Sequence, residues 1–246
     1  MNKAKIPRVI HYCWFGGGEK TELVLKCIES WKKYCPDYVI KEWNETNFDV
    51  NINDYVKEAY EKKKWAFVSD YARLVVVYKN GGVYLDTDVE LIKNIDDVLS
   101  NNAFYGSDGE EVNTGLGFGA VKGDKSVKKM LEQYEGLHFV DENGKPDTTP
   151  CPIRNTNALK EFFGKDLNLF ETNKKNGVIV YPPEYFSPLD YDTHKMKITD
   201  NTYSIHWYGE SWLSNRKKKT KKIKRIVARI IGKKNFLAIR RIIKGH

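Results

Sequence analysis

The stretch Gly81-Gly82-Val83-Tyr84-Leu85-Asp86-Thr87-Asp88 decides how the rest of the chain is read. Three apolar-bodied residues behind a double glycine read as a short buried strand, and that strand delivers two carboxylates spaced i, i+2. A hard divalent cation takes oxygen ligands, and two carboxylates leave room for the oxygens of a diphosphate. In an open α/β sheet, ligands bind beyond the C-terminal ends of strands, which is where these acids fall. A solvated turn with two unrelated acids is the bland alternative for a bare Asp-x-Asp. The strand and the double glycine weigh against it here.

Working outward, a helix is predicted from Ala66 to Lys79, with Phe67, Tyr71, Leu74, Val75 and Tyr78 forming one apolar stripe. Asn80-Gly81-Gly82 closes it, because glycine accepts the left-handed conformation of a helix C-cap. Upstream, Val9–Phe15 reads as an opening strand, Glu22–Tyr34 as a helix, Tyr38–Trp43 as a strand and Asp54–Lys64 as a charged helix. Downstream, Val89–Ile92, Ala103–Gly106, Gly115–Val121, Val178–Tyr181 and Tyr203–Trp207 read as strands. Lys125–Tyr134 and Asn157–Phe163 read as helices, and residues 136–153 as a long loop. Strands alternate with helices through the first half, which points to an α/β fold with a largely parallel sheet.

Composition bounds the remaining choices. A length of 246 residues holds one sizeable domain, and 41% hydrophobic with 30% charged residues excludes a chain disordered throughout. The net charge of +8 is unevenly spread. Residues 214–246 carry 14 Lys and Arg and no acid, whereas residues 1–213 hold 27 basic against 33 acidic side chains. The body is mildly acidic and the tail strongly basic. Cys13, Cys27, Cys35 and Cys151 show no CxxC pairing, so unpaired thiols in a reducing cytosol are expected. The N-terminus has no apolar core of a signal peptide, and no span of about 20 apolar residues is present, so a cytosolic location follows.

Several motifs occur together in order: Ile6-Pro7-Arg8-Val9-Ile10-His11-Tyr12-Cys13-Trp14-Phe15-Gly16, Ser69-Asp70-Tyr71-Ala72-Arg73, Gly81–Asp88, and His206-Trp207 followed by Ser211-Trp212. Over residues 6–212 the chain resembles the glycosyltransferases with a DXD sugar-binding motif. That family, family 32-like, includes initiating mannosyltransferases, α-1,4-galactosyltransferases and capsular polysaccharide transferases. More distantly the chain is similar to the glucosylating domains of large clostridial toxins. The resemblance implies a GT-A type fold, a mixed and mostly parallel sheet flanked by helices, in a catalytic domain spanning residues 1–213. It implies a retaining, metal-dependent hexosyltransferase that moves a sugar from a nucleotide-sugar donor to a glycan or lipid-linked glycan. Mn²⁺ or Mg²⁺ is the implied cofactor, with Asp88, Asp86 and His206 as its ligands. Asp86, Asp88 and Arg73 are the implied catalytic groups, and Trp14, Asp70, Arg73, Tyr84, Asp86, Ser211 and Trp212 the implied donor contacts.

Set against the residues themselves, some of these roles keep a rival. Trp14 is either a stacking platform for the base, worth about 1–3 kcal/mol, or a core ring on the first strand. Asp70 and Arg73 lie i, i+3 on the helix, where an ordinary surface ion pair is worth under about 0.5 kcal/mol. His206 beside Trp207 is a late metal ligand or a packed side chain. Glu110, Glu111 and Asn113 precede Gly115-Leu116-Gly117-Phe118-Gly119, which lacks the Lys of a phosphate loop and reads as a loop beside the acceptor. The similarity of the Trp14 and Asp70/Arg73 context to UDP-sugar users implies UDP-galactose or UDP-glucose as the donor, with a GDP-mannose-using transferase and a non-catalytic sugar-nucleotide- or glycan-binding module as alternatives.

The tail, residues 214–246, is expected to be a basic amphipathic helix. Ile223, Ile226, Val227, Ile230 and Ile231 recur on one face, followed after Gly232 by Phe236, Ile239 and Ile243. Such a helix either lies on anionic lipid, at the inner face of the plasma membrane, or packs on the body with its charges solvated. Interleaved aromatics are almost absent, so nucleic acid is not expected as a partner.

Overall fold

The computed structural model describes residues 4–164, 167–209, 215–232, 235–236 and 238–239. Strands β1 (Val9–Cys13), β2 (Val39–Trp43), β3 (Gly82–Tyr84), β5 (Ala103–Gly106), β6 (Phe118–Ala120), β7 (Asn173–Lys175) and β8 (Val178–Tyr181) form one sheet. Its order is β2-β1-β3-β6-β5-β8-β7. Five of the seven strands run the same way, and β6 and β7 oppose them. Strands β4 (Val89–Leu91) and β9 (Ser204–His206) pair antiparallel as a separate ribbon. The expected mixed, mostly parallel sheet flanked by helices is borne out.

Alternation along the strands splits the core in two. Cys13, Tyr84, Tyr105, Val178 and Val180 point into one layer, shared with α2 (Asp54–Glu61), α3 (Trp65–Asn80), α4 (Lys125–Glu132) and α5 (Cys151–Phe163). Ile10, Tyr12, Val83 and Phe104 point into the other, shared with α1 (Glu22–Tyr34), β4 and α6 (Pro183–Phe186). The Thr21 hydroxyl accepts from the Val24 N–H at the start of α1, which satisfies one of the unpaired donors of a helix N-terminus. The Trp31 indole then donates to the Val89 carbonyl at 2.7 Å, tying α1 to the ribbon.

Helix α3 departs from the single stripe read in the sequence. Val68, Ala72, Leu74, Val75, Val76 and Val77 are all buried, while Phe67, Tyr71 and Tyr78 are only partly covered. The helix lies between two layers. Its aliphatic side meets the sheet, and Phe67 and Tyr71 meet Phe139 and Tyr134 edge-on or tilted. Gly81 ends it as expected, with φ +70° and its N–H on the Val77 carbonyl. The basic tail forms α7 (Asn215–Ile231), which ends at Gly232. Among the described residues no helix is long and apolar enough to cross a membrane, and all four cysteines are free.

Beneath the site, His11 is buried between β2 and the end of α3. The Trp43 indole donates to its Nδ1 at 3.1 Å, and its Nε2 donates to the Gly81 carbonyl at 2.8 Å. The bond from Trp43 requires an unprotonated Nδ1, and burial lowers the ring's pKa against the raising effect of the Gly81 bond. The unfolded chain therefore takes up this proton more readily than the folded one, so His11 favours folding above pH about 6.5 and penalises it below. Urea unfolding at pH 5.5 and 7.5 is expected to show lower stability at the acid value. In His11→Gln that acid loss shrinks, although the variant is less stable than the parent at pH 7.5.

Candidate active site

The site forms where β3 runs out. The Leu85 N–H bonds to the His11 carbonyl at 3.1 Å, and the Asp86 N–H to the Gly115 carbonyl at 3.3 Å, so the chain leaves the sheet under control from both sides. A turn follows, closed by the Val89 N–H on the Asp86 carbonyl at 2.9 Å. The ribbon register then sets Val89 opposite His206. That pairing brings a histidine from late in the chain to the residue before Val89. His206 Nε2 lies 3.0 Å from Asp88 Oδ1, and the Gly209 N–H donates to Asp88 Oδ2 at 2.7 Å. Burial alone would raise the Asp88 pKa, but the His206 charge and these bonds outweigh it and hold it at about 2. Burial likewise opposes protonation of His206, and the Asp88 carboxylate outweighs it and raises the pKa.

Arg73 supplies the other half. Its Nη2 reaches Asp70 Oδ1 at 2.9 Å and Asp86 Oδ1 at 3.1 Å, and its Nε donates to the Ser69 carbonyl at 3.2 Å. The guanidinium carbon lies 5.0 Å from the centre of the Tyr84 ring, whose hydroxyl donates to Asp86 Oδ1 at 3.0 Å. With its side chain only 5% exposed, Arg73 is no surface ion-pair partner. Burial pushes the Asp86 pKa up, and Arg73 pulls against it. Removing Arg73 would strand two carboxylates at a cost of about 3–5 kcal/mol, so its charge is structural as well as chemical.

Asp86, Asp88 and His206 each offer a ligand atom within 4.8 Å of the other two. Two carboxylates and an imidazole suit Mn²⁺, and the carboxylates suit Mg²⁺. Among the described residues the Nδ1 of His206 is buried without a hydrogen-bond partner, so the ring keeps an unused nitrogen. The donor set fits a divalent cation.

Residues 21–105 match the family described as the glycosyltransferase sugar-binding region containing DXD motif. The chain is a glycosyltransferase. The matched segment runs from the cap of α1 into β5 and includes Asp70, Arg73, Asp86 and Asp88. An uncharacterised glycosyltransferase of Acanthamoeba polyphaga mimivirus, L373, is 24% identical over 84% of this chain and 84% of its own. The solved PaToxG glycosyltransferase overlaps 64% of this chain and 69% of its own, at 18% identity and a TM-score of 0.47. A solved glycosyltransferase involved in glycosylation of the major capsid of PBCV-1 overlaps 88% of this chain and 100% of its own, at 13% identity and a TM-score of 0.42. At such scores the two superpositions carry no weight, and the assignment rests on the sequence matches.

The remaining expected residues of this glycosyltransferase fall unevenly. Trp14 is half-buried, with its indole N–H on the Gly18 carbonyl at 2.7 Å and the Lys20 ammonium 5.6 Å from the ring centre. Tyr84, expected as a donor contact, is buried, with the Arg73 guanidinium over its ring and its hydroxyl on Asp86. Asn113 does belong to the cluster, since its Oδ1 accepts the Gly115 N–H at 2.8 Å. Glu111 instead turns to Thr156 on α5, and burial raises its pKa; Glu110 is exposed. Ser211 and Trp212 lie outside the described residues.

Sequence reading missed the α5 contribution. Cys151 Sγ lies 3.8 Å from Arg73 Nη1, and Asn155 Nδ2 donates to Thr114 Oγ1 at 3.0 Å and to Cys151 Sγ at 3.9 Å. The helix begins at Cys151, six residues earlier than expected, inside a stretch taken for loop. Pro152 was the available signal, because proline is well suited to the first turn of a helix.

Gly115 makes the closest approach. A Cβ there would strike the Asp86 carboxylate and meet Asn113 Oδ1 at 3.0 Å and Arg73 Nη1 at 3.1 Å. Gly115→Ala is therefore expected to lower donor turnover about 100-fold, the order of loss for a displacement near 1 Å in a reacting site. Its melting temperature should stay within a few degrees of the parent, and parental turnover would mean that Asp86 needs no such fit.

Proposed function

We propose that this glycosyltransferase moves a hexose from UDP-galactose or UDP-glucose to a glycan hydroxyl, with Mn²⁺ or Mg²⁺ held by Asp86, Asp88 and His206. The observation that carries the reading is the convergence of those three side chains on one point, beside a carboxylate gripped by Arg73. Bound there, the cation would neutralise charge on the diphosphate and so ease departure of the nucleotide. Asp70, Asp86 and Asp88 against Arg73 carry a formal charge of about −2, which attracts a cation before an anionic donor.

The residues divide the work. Asp70 and Asp86, fixed by Arg73, accept hydrogen bonds from donor hydroxyls. Arg73 adds a fixed positive charge close to the departing phosphate, already desolvated and needing no reorganisation. Trp14, tethered at its indole nitrogen, offers a ring face to the base. For Ser211 and Trp212 the family resemblance implies a role at the diphosphate. Asn113, at the lip of the cluster, faces the acceptor side, with Glu110 and Glu111 further out. The acceptor oxygen bonds to the anomeric carbon, the bond from that carbon to the diphosphate oxygen breaks with its electron pair, and the acceptor proton passes to the departing diphosphate. Retention of configuration follows if both events share one face of the sugar, as the family resemblance implies. A role in capsular or other cell-surface polysaccharide synthesis, with a lipid-linked glycan as acceptor at the inner membrane face, fits the basic tail.

Two measurements test this. UDP release from UDP-galactose or UDP-glucose should require Mn²⁺ or Mg²⁺, stop with EDTA and fall at least about 100-fold in Asp88→Ala. In a melting screen with Mn²⁺, the true donor at 100 times its Kd should stabilise the parent by about 2.7 kcal/mol and leave Asp88→Ala unshifted. Turnover by Asp88→Ala at the parental rate would refute the metal assignment, and a shift with GDP-mannose alone would replace UDP as the base.

A further inference from the structure

Helix α7 is mounted on the body in an unusual way. Ala228 is fully buried, and two arginines of the same helix, Arg225 and Arg229, reach the body. Arg225 Nε donates to the Tyr191 carbonyl at 3.3 Å, with its guanidinium carbon 5.8 Å from the centre of the Tyr191 ring. Arg229 donates to the Thr193 carbonyl and, at 3.0 Å, to that of His194. Helical spacing puts Ile226, Val227 and Ile230 on the opposite side, where they are 49%, 41% and 78% exposed. Among the described side chains, Arg225 and Arg229 bond to the body while Ile226, Val227 and Ile230 face out, the reverse of a helix packed to complete a core. Lys224 is exposed as well, and residues 214–246 contain 14 Lys and Arg with no acid.

We propose that α7 is the surface by which the chain lies on an anionic lipid bilayer, its Ile226, Val227 and Ile230 seated at the boundary between headgroups and acyl chains. This deepens the reading of a lipid-linked acceptor and rests on it for its purpose. Charge selects the partner, because basic side chains are drawn to anionic headgroups, and the aliphatic row gives the hydrocarbon contact that phosphate alone would not reward. A second copy of the chain would bring two strongly cationic tails together, and a nucleic acid would leave the isoleucines facing water. The mounting also fixes where the bilayer lies. Tyr191 packs edge-on to Tyr208, ring centres 4.9 Å apart, and Tyr208 edge-on to His206 at 4.2 Å. The docked helix is thus two rings away from the candidate metal ligands, and the site borders the membrane.

Co-sedimentation of the full chain with vesicles of equimolar phosphatidylglycerol and phosphatidylcholine tests the surface. The parent should partition onto these vesicles at least about tenfold more strongly than onto phosphatidylcholine alone. The double variant Ile226→Glu/Ile230→Glu should lose at least about tenfold on the anionic vesicles. Its UDP release in vesicle-free buffer should match the parent, and that assay reads the transfer chemistry separately from the surface. A parent that stays in the supernatant, or a double variant that sediments like it, would overturn the proposal. So would light scattering that finds a dimer dissolved by the double substitution, which assigns the face to a second copy. Binding to duplex DNA in preference to the vesicles, unaffected by the two substitutions, would equally overturn it.

Discussion

One guanidinium, that of Arg73, makes the rest of the site possible. Asp70 and Asp86 come from different elements, a helix and the end of a strand, and both are largely buried. Without a positive charge between them the two acids would repel, and burial would favour their neutral forms. Arg73 offers several donors in a rigid fork, and it spends them on Asp70, Asp86 and the Ser69 carbonyl. Its flat face lies over Tyr84, whose hydroxyl returns to Asp86. The geometry of this candidate site is therefore set by a closed ring of interactions among the chain's own side chains.

The second constraint is register. Asp88 is placed by backbone, through the Trp207 N–H on its carbonyl at 2.9 Å and the Gly209 N–H on its side chain. His206 is placed by its pairing with Val89. A shift of one residue in that short ribbon would turn the imidazole to the opposite face, so the alternation of a β-strand is what brings the histidine to Asp88. The Trp31 indole on the Val89 carbonyl pins the ribbon from α1.

Much of this was legible in the residues, and the failures have physical causes. Helix Glu22–Tyr34 and strands Ala103–Gly106 and Val178–Tyr181 have the bounds read from capping and pattern, because each is a continuous run closed by clear breakers. The burial of Arg73 was not legible: periodicity identifies one face of a helix, whereas α3 is covered on two sides and its second buried face carries the arginine. Cys151 and Asn155 were lost with the first turn of α5, where two prolines flanking Cys151 read as loop. The short strand Asn173–Lys175 has only polar residues and owes its form to its neighbour. In the tail the aliphatic row was plain, yet nothing in a sequence says that arginines would take the inward side.

The late arrival of His206 bears on when the protein becomes competent. During synthesis Asp86 and Asp88 leave the ribosome long before the strand that completes their site, and β4 waits without a partner until β9 emerges. Until then the two acids have neither the imidazole nor the Gly209 amide beside them. A nascent or truncated chain ending before residue 204 would own the segment that matches the family and lack the histidine of that group. The order of the chain itself thus works as an assembly check: the group of Asp86, Asp88 and His206 is complete only after the body of the protein has been made.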